Sequence, residues 1–320
     1  MPNRRSLILA GLSLPALGRG AAAWEPTRPI RLVVPFAAGG PADLFARVLA
    51  EAMATRLGQP VVVENRTGAG GVTGVDAVVK ATPDGHVLAL TGAAAMAIAP
   101  SLPQPMPFQV DRDLAQLTLV ARVPEVLVVH AGDGIPDVAT LILRGRDGAL
   151  QYGSAGAGSI THLASALFAL EAGITAEHIP YRGAAPAVTD LLGRRFAYMI
   201  ADVPVLIAHI RAGTLKPLAV TTGARVAALP DVPTTAEVGL PRVLSDNWYG
   251  LAAPAGVPPD ALARLHTAAV ESLRDPALIA RFASVEAIAA PMTPAATLAF
   301  IQSEQAKWAP LVRQTGVTTL

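Results

Sequence analysis

Residues 30–58, IRLVVPFAAGGPADLFARVLAEAMATRLG, constrain the fold more than any other part of the chain. A short β-branched run, Ile30–Phe36, meets a glycine pair, and behind it apolar residues recur at helical spacing. Strand, tight turn and helix are expected in that order. The pattern returns in PVVVENR (60–66), a glycine-rich turn, a helix near 73–81 and the run HVLALTG (86–92). Strands joined by crossover helices lie parallel, so an α/β layer architecture follows.

A second series begins after LTLVARVPEVLVV (117–129), read as two extended stretches hinged at Pro124. It holds a helix near 136–145, the run LQYGSA, a helix, EHIPY, another helix, and FAYMIAD. LKPLAVTT (215–222) adds a strand, a proline-rich stretch leads to NWYGLAAPAG (247–256), and helices near 258–273 and 293–314 close the chain. Those last helices have no strands of their own to cover and are expected to pack back on the first unit. The expected organisation is a first lobe of 24–123 plus 223–320 and an inserted second lobe of 124–222. Two neighbouring chain crossings, near 122–126 and 222–250, would form a hinge beside an interlobe cleft.

Residues 1–23 have a basic start with Arg4 and Arg5, an apolar run from Leu7 to Leu17, and small residues at Ala21–Ala23. These are the parts of a cleaved export signal, by the general or the twin-arginine route. Removing them takes away three arginines and no acid, shifting the formal charge from +1 to −2. That balance, with lysine only at positions 80, 216 and 307, excludes a nucleic-acid partner. The chain has no cysteine, so an oxidising compartment offers it no staple and thiolate chemistry is absent. No cluster of His, Asp and Glu has metal-site spacing, and neither a metal nor a cofactor is expected.

The stretch YGSAGAGSITHL (152–163) invites a chemical reading. A nucleophile elbow needs G-x-S-x-G, and Gly153, Ser154, Ala155 and Gly156 fall one residue short. His162 lies only eight residues past Ser154, in the following helix, where a triad base is unusual. A dinucleotide fingerprint fails because Thr73 and Thr161 stand where its third glycine belongs, and no lysine follows a glycine as a P-loop requires. What remains is a glycine-rich turn opening a helix after the first strand of each unit. Unpaired amides and the helix dipole attract a carboxylate there without any basic side chain. The alternative is a pair of tight turns with capped helices, Pro41 at the first helical position and Ser159 as the cap.

Five segments together decide between these readings: VVPFAAGGPADLFAR, VVVENRTGAGGVTGVDAVVKATPDGHVLAL, YGSAGAGSITHLASALF, HIPYRGAAPAVTDLLGRRFAYMIAD, and DVPTTAEVGLP followed by WYGLAAPAGVP. In this order, over nearly all of the chain, they resemble the Bug family of periplasmic receptors of tripartite tricarboxylate transporters. The resemblance implies a type II periplasmic binding fold that grips a small organic acid between its lobes and delivers it to membrane subunits. The receptor is expected to be periplasmic, monomeric and not an enzyme. Carried onto this chain, the ligand-binding positions are Phe36, Ala37, Ala38, Gly39, Gly40 and Asp43 in the first loop. In the second they are Ser154, Ala155, Gly156, Ala157, Gly158, Ser159, Thr161 and His162, with Tyr181 and Asp202 flanking.

Several positions keep a second reading. Asp43 suits a helix start as well as a ligand, His162 suits a packed core, and Arg182 suits either a second carboxylate or solvent. Trp248 and Tyr249 are expected in hinge packing, and His86 at the surface. A secreted hydrolase using Ser154 or Ser159, or a sensor feeding a signalling partner, are the competing functions.

Overall fold

The computed structural model describes residues 24–318, so the stretch 1–23, expected to be an export signal, lies outside the described residues. Strand β1 (Ile30–Val34) leads to helix α1 (Pro41–Leu57), β2 (Val61–Asn65), α2 (Val72–Val79) and β3 (Val87–Gly92). β1 pairs in parallel with β2 on one side and β3 on the other, as crossover helices require. Four of the five residues of β1 are buried, since helices cover both faces of this sheet. Beyond β3 the chain does not enter a plain loop. A wide helical turn over Ala94–Ile98 and a tighter one over Ala99–Ser101 bury Met96 and Ile98. Pro100, Pro103, Pro105 and Pro107 all lie beyond the wide turn at 94–98 and so leave it intact.

The short helix α3 (Val110–Asp113) opens onto β4 (Leu114–His130), a strand of 17 residues. Expected as two stretches broken at Pro124, it runs through that proline as one. Pro124 lacks the N–H of a ladder and lies where the strand changes sheets. Residues 114–124 pair with β9 (Asp246–Pro254), and residues 125–130 pair with strands of the other lobe. The first-lobe sheet runs β2, β1, β3, β9, β4, with β9 antiparallel to both its neighbours.

The second lobe holds α4 (Val138–Asp147), β5 (Leu150–Ser154), α5 (Ile160–Ala172), β6 (Ala176–Pro180), α6 (Ala184–Leu192), β7 (Met199–Asp202), α7 (Val203–Arg211) and β8 (Leu215–Val220). β5 and β6 are parallel, β7 and β8 flank the end of β4, and a bridge between Tyr152 and Tyr198 links the two groups. The chain recrosses at Thr221, whose hydroxyl donates to the carbonyls of Glu125 and Ser245. These two bonds tie both crossings side by side.

α8 (Pro259–Leu273), α9 (Pro276–Ala283), β10 (Ile288–Ala289) and α10 (Pro294–Thr315) complete the chain. β10 adds to the free edge of β4, so the closing segment carries a strand after all, unread because it has only two residues. α10 lies against β4 and also reaches α5 of the second lobe, more than the expected return to the first. It carries Glu304 between the buried indoles of Trp248 and Trp308, both donating to one carboxylate oxygen, at 3.3 and 3.1 Å. His86 is a correction: it is 5% exposed, edge-on to Trp24, and its ring accepts the Thr27 amide. A single position had no periodicity from which to infer that Trp24 would cover it.

Candidate functional site

A cavity of about 570 Å³ opens where the two lobes face each other. Phe36, Gly70, Ala93, Ala94, Asn247 and Tyr249 line it from the first lobe. From the second come Ala155 through Thr161, Pro180, Tyr181, Arg182, Ala184 and Asp202.

The second-lobe loop is rigid by construction. Ser159 caps α5, accepting the His162 amide at 3.2 Å, and its hydroxyl donates to the Gly156 carbonyl at 2.7 Å. Thr161 accepts the Ala155 amide, and His162 Nδ1 accepts the Gly158 amide at 3.1 Å. Ser154 accepts the Gly156 amide, and its Oγ lies 2.6 Å from His178 Nε2. Gly156 at φ +144° and Gly158 at φ +68° permit the path. Among the described residues, these bonds leave the amides of Ala157, Ile160 and Thr161 with no partner in the chain. They sit at the positive end of α5, and all three residues line the cavity.

Ser154 and His162 are placed behind this loop, not in its cavity face. Ser154 is fully buried, and His162 is 4% exposed, its ring stacked on that of His178 with centroids 3.7 Å apart. Burial holds His162 down to about 3, with the neighbouring His178 adding to it, and burial alone holds His178 down to about 4. Both rings are therefore neutral at physiological pH. His178 was missed as a brace, because it lies 24 positions beyond Ser154 and only the parallel pairing of β5 with β6 joins them.

The first loop is placed differently. Phe36 reaches the cavity, whereas Ala37, Ala38, Gly39 and Gly40 do not line it. Asp43 is 4% exposed and fully occupied. It accepts from the Gly39 amide at 3.0 Å, from Arg47 at 2.9 Å and from Asn65 at 2.9 Å. The Arg47 hydrogen bond is the strongest of the influences that hold its carboxyl down to about 2. The first lobe instead meets the cavity through Gly70, in the glycine-rich turn after β2, and through the turn at Ala93 and Ala94, none of them expected as ligand-binding positions.

Tyr181 and Asp202 both line the cavity. The Tyr181 hydroxyl donates to Asp190 at 2.8 Å; burial first, then that carboxylate, push it up to about 12. Asp202 accepts from Asn247 at 3.2 Å, and burial raises its carboxyl to about 7. Arg182 is exposed and is the one cationic side chain among the described lining residues. Tyr249, expected in hinge packing, also lines the cavity, edge-on to Phe36 at 5.8 Å. Among the described residues, no group of three His, Cys, Asp or Glu could hold a metal ion, and no helix is long and apolar enough to cross a membrane.

A family model described as the tripartite tricarboxylate transporter family receptor matches residues 45–317. The chain belongs to that receptor family. Its sequence is 39% identical to BugT of Bordetella pertussis over 322 residues, covering 99% of both chains. The solved periplasmic binding protein BugD is 34% identical, with a TM-score of 0.78 over 91% of this chain and 99% of its own. An R. palustris protein solved with adipate is 30% identical, with a TM-score of 0.81 over 91% of this chain and 98% of its own. The receptor therefore has the two-lobed periplasmic binding fold, and its family is one of solute receptors, not enzymes.

Proposed function

We propose that this receptor binds a small organic acid in the interlobe cavity and hands it to the membrane subunits of a tripartite carrier. The partnerless amides of Ala157, Ile160 and Thr161 at the start of α5 carry this reading, because they offer a carboxylate donors and a positive dipole end in a wall with one exposed cation. The relative solved with adipate supports the same chemical class. In this reading Phe36, Ala155–Ser159, Thr161, Tyr181 and Asp202 face the ligand, while Asp43, Ser154 and His162 hold the loops in shape. Residues 24–123 with 223–320 close on 124–222 about the paired crossings. The protein works in the periplasm as a monomer after loss of residues 1–23.

A thermal-shift screen of mono-, di- and tricarboxylates tests it. An acid present at 100 times its dissociation constant adds about 2.7 kcal/mol of stability. A flat screen sinks the receptor reading.

The contact between Ser154 and His178 resembles the first half of a hydrolase dyad, so the enzyme alternative has one observation in its favour. Against it, Ser154 is fully buried, its Oγ is already bonded to Gly156, and no carboxylate among the described residues orients His178. No labelling of Ser154 or Ser159 by a serine-reactive phosphonate is expected; stoichiometric labelling would restore the hydrolase.

A further inference from the structure

Glu125 and Asp202 stand directly opposite each other across the ladder of β4 and β7. Facing residues in an antiparallel pair project to the same side, with Cβ atoms roughly 5 Å apart. Glu125 is fully buried; one carboxylate oxygen accepts from the Ser245 hydroxyl and the other, Oε1, has no partner. Asp202 accepts from Asn247, and its Oδ1 is likewise buried without a partner. Asp202 also forms part of the cavity wall, so the pair reaches from the hinge to the ligand space.

Among the described residues no cation pairs with either acid: Arg182 shares the cavity wall with Asp202 but makes no ion pair with it. On β4 and β9, Arg122 is paired with Asp246, and on α10 Lys307 is paired with Glu304. On the return crossing Arg225 is paired with Glu237. The remaining neighbours, Ser245, Asn247 and Tyr249, are neutral. Two facing carboxylates in a buried setting without a counter-ion do not both ionise at neutral pH. Burial and the facing Asp202 push Glu125 well above the usual carboxylate range, in keeping with this geometry.

We propose that Glu125 and Asp202 share at least one proton at neutral pH, that Asp202 presents an O–H from the cavity wall to the bound acid, and that binding above neutrality takes one proton from solvent. The balance is one proton onto the Asp202 carboxylate per acid bound, with no other bond made or broken. Glu125 does not touch the ligand and acts as a positioning residue, keeping its proton while Asp202 titrates. The inference rests on the cavity being the carboxylate site.

Two measurements on the mature protein decide it. Infrared titration of the unliganded receptor should show a protonated-carboxyl band at pH 6 that fades by pH 9, and Asp202→Asn should remove the part that fades. Calorimetry with adipate at pH 8, in phosphate and in Tris, should show a heat difference equal to one proton. Affinity should fall by up to about tenfold per pH unit above pH 7, the slope of a single linked proton. Glu125→Gln, uncharged like the protonated acid it replaces, should lower the pH 6 band by one carboxyl while leaving the start of that fall in place; a glutamate ionised at pH 6 would have given no such band to lose. The absence of a fading band, proton-free binding at pH 8, or a pH 6 band unchanged in Glu125→Gln overturns the proposal. A receptor that binds no acid in the thermal screen fails the receptor reading and the coupling together, whereas the infrared band judges the proton pair by itself.

Discussion

After β1 the turn Phe36–Gly40 is held by charge, with Asp43 gathering the Gly39 amide, Arg47 and Asn65 around one carboxylate. After β5 the turn Ser154–Ser159 is held by neutral groups, three hydroxyls and two stacked imidazoles. Both are glycine turns opening a helix, yet only the second presents its backbone along the cavity. A charged brace beside an anion site would repel the ligand, whereas a neutral brace leaves the dipole of α5 as the dominant local field. The negative charge of Asp43 is kept away from the cavity lining, cancelled in part by Arg47.

The largest expected difference between the turns is at their glycines. Gly156 has φ +144°, and a Cβ there would meet the Tyr181 carbonyl at 3.4 Å; Gly39 has φ +82° with open space beside it. Gly156→Val should therefore weaken acid binding at least about 100-fold, near 2.7 kcal/mol, from strain of about 1–3 kcal/mol and loss of close approach. Small-angle scattering should show no compaction on adding ligand. Gly39→Val, strained but away from the cavity, should lose about tenfold or less. Equal losses would erase the distinction drawn between the loops.

Acid separates the two braces by their windows. The depressed values of His162 and His178 mean that the stability they contribute is complete above pH 6.5 and is lost as pH falls from there towards about 3 and about 4. Asp43 has its own depressed value, so its contribution is complete above pH 3.8 and is lost only towards about 2. Between pH 7 and 5 the second turn should thus loosen by about 2 kcal/mol for each imidazole while the first holds. Amide exchange of residues 155–162 against 37–43 measures this directly. Faster exchange in the first turn would reverse the assignment.

Single braces should cost less. His178→Phe keeps the ring stack but loses the bond to Ser154, an expected cost of about 1 kcal/mol in stability by denaturant titration. Smallest of all is Arg47→Ala. Arg47 is more than half exposed, and a solvent-facing pair of this kind contributes about 0.5 kcal/mol or less. A larger loss for Arg47 than for His178 would mean that charge, and not the imidazole pair, is the stiffer brace.

Local pattern explains what could be read in advance. The alternation of β-branched runs, glycine turns and helical spacing marks most elements to within a few residues, because strand, turn and helix preferences act over neighbouring positions. Ser159 as the cap of α5 and Pro41 at the start of α1 follow from the same short range. β10 is too short to carry a period, and the buried turn after β3 shares its composition with a loop.

The sequence by itself determined an α/β chain with a glycine turn before a helix in each half, and its five ordered segments determined the receptor family. Only the tertiary structure decided which of those turns faces the cavity. It also decided that Asp43 is spent on its own loop, that His178 lies beside Ser154, and that Glu125 confronts Asp202 across 76 intervening positions in sequence. The physical reason is register. One long strand, β4, passes from one sheet into the other, and its pairing with β7 and β9 sets which distant side chains share a face and a low-dielectric space.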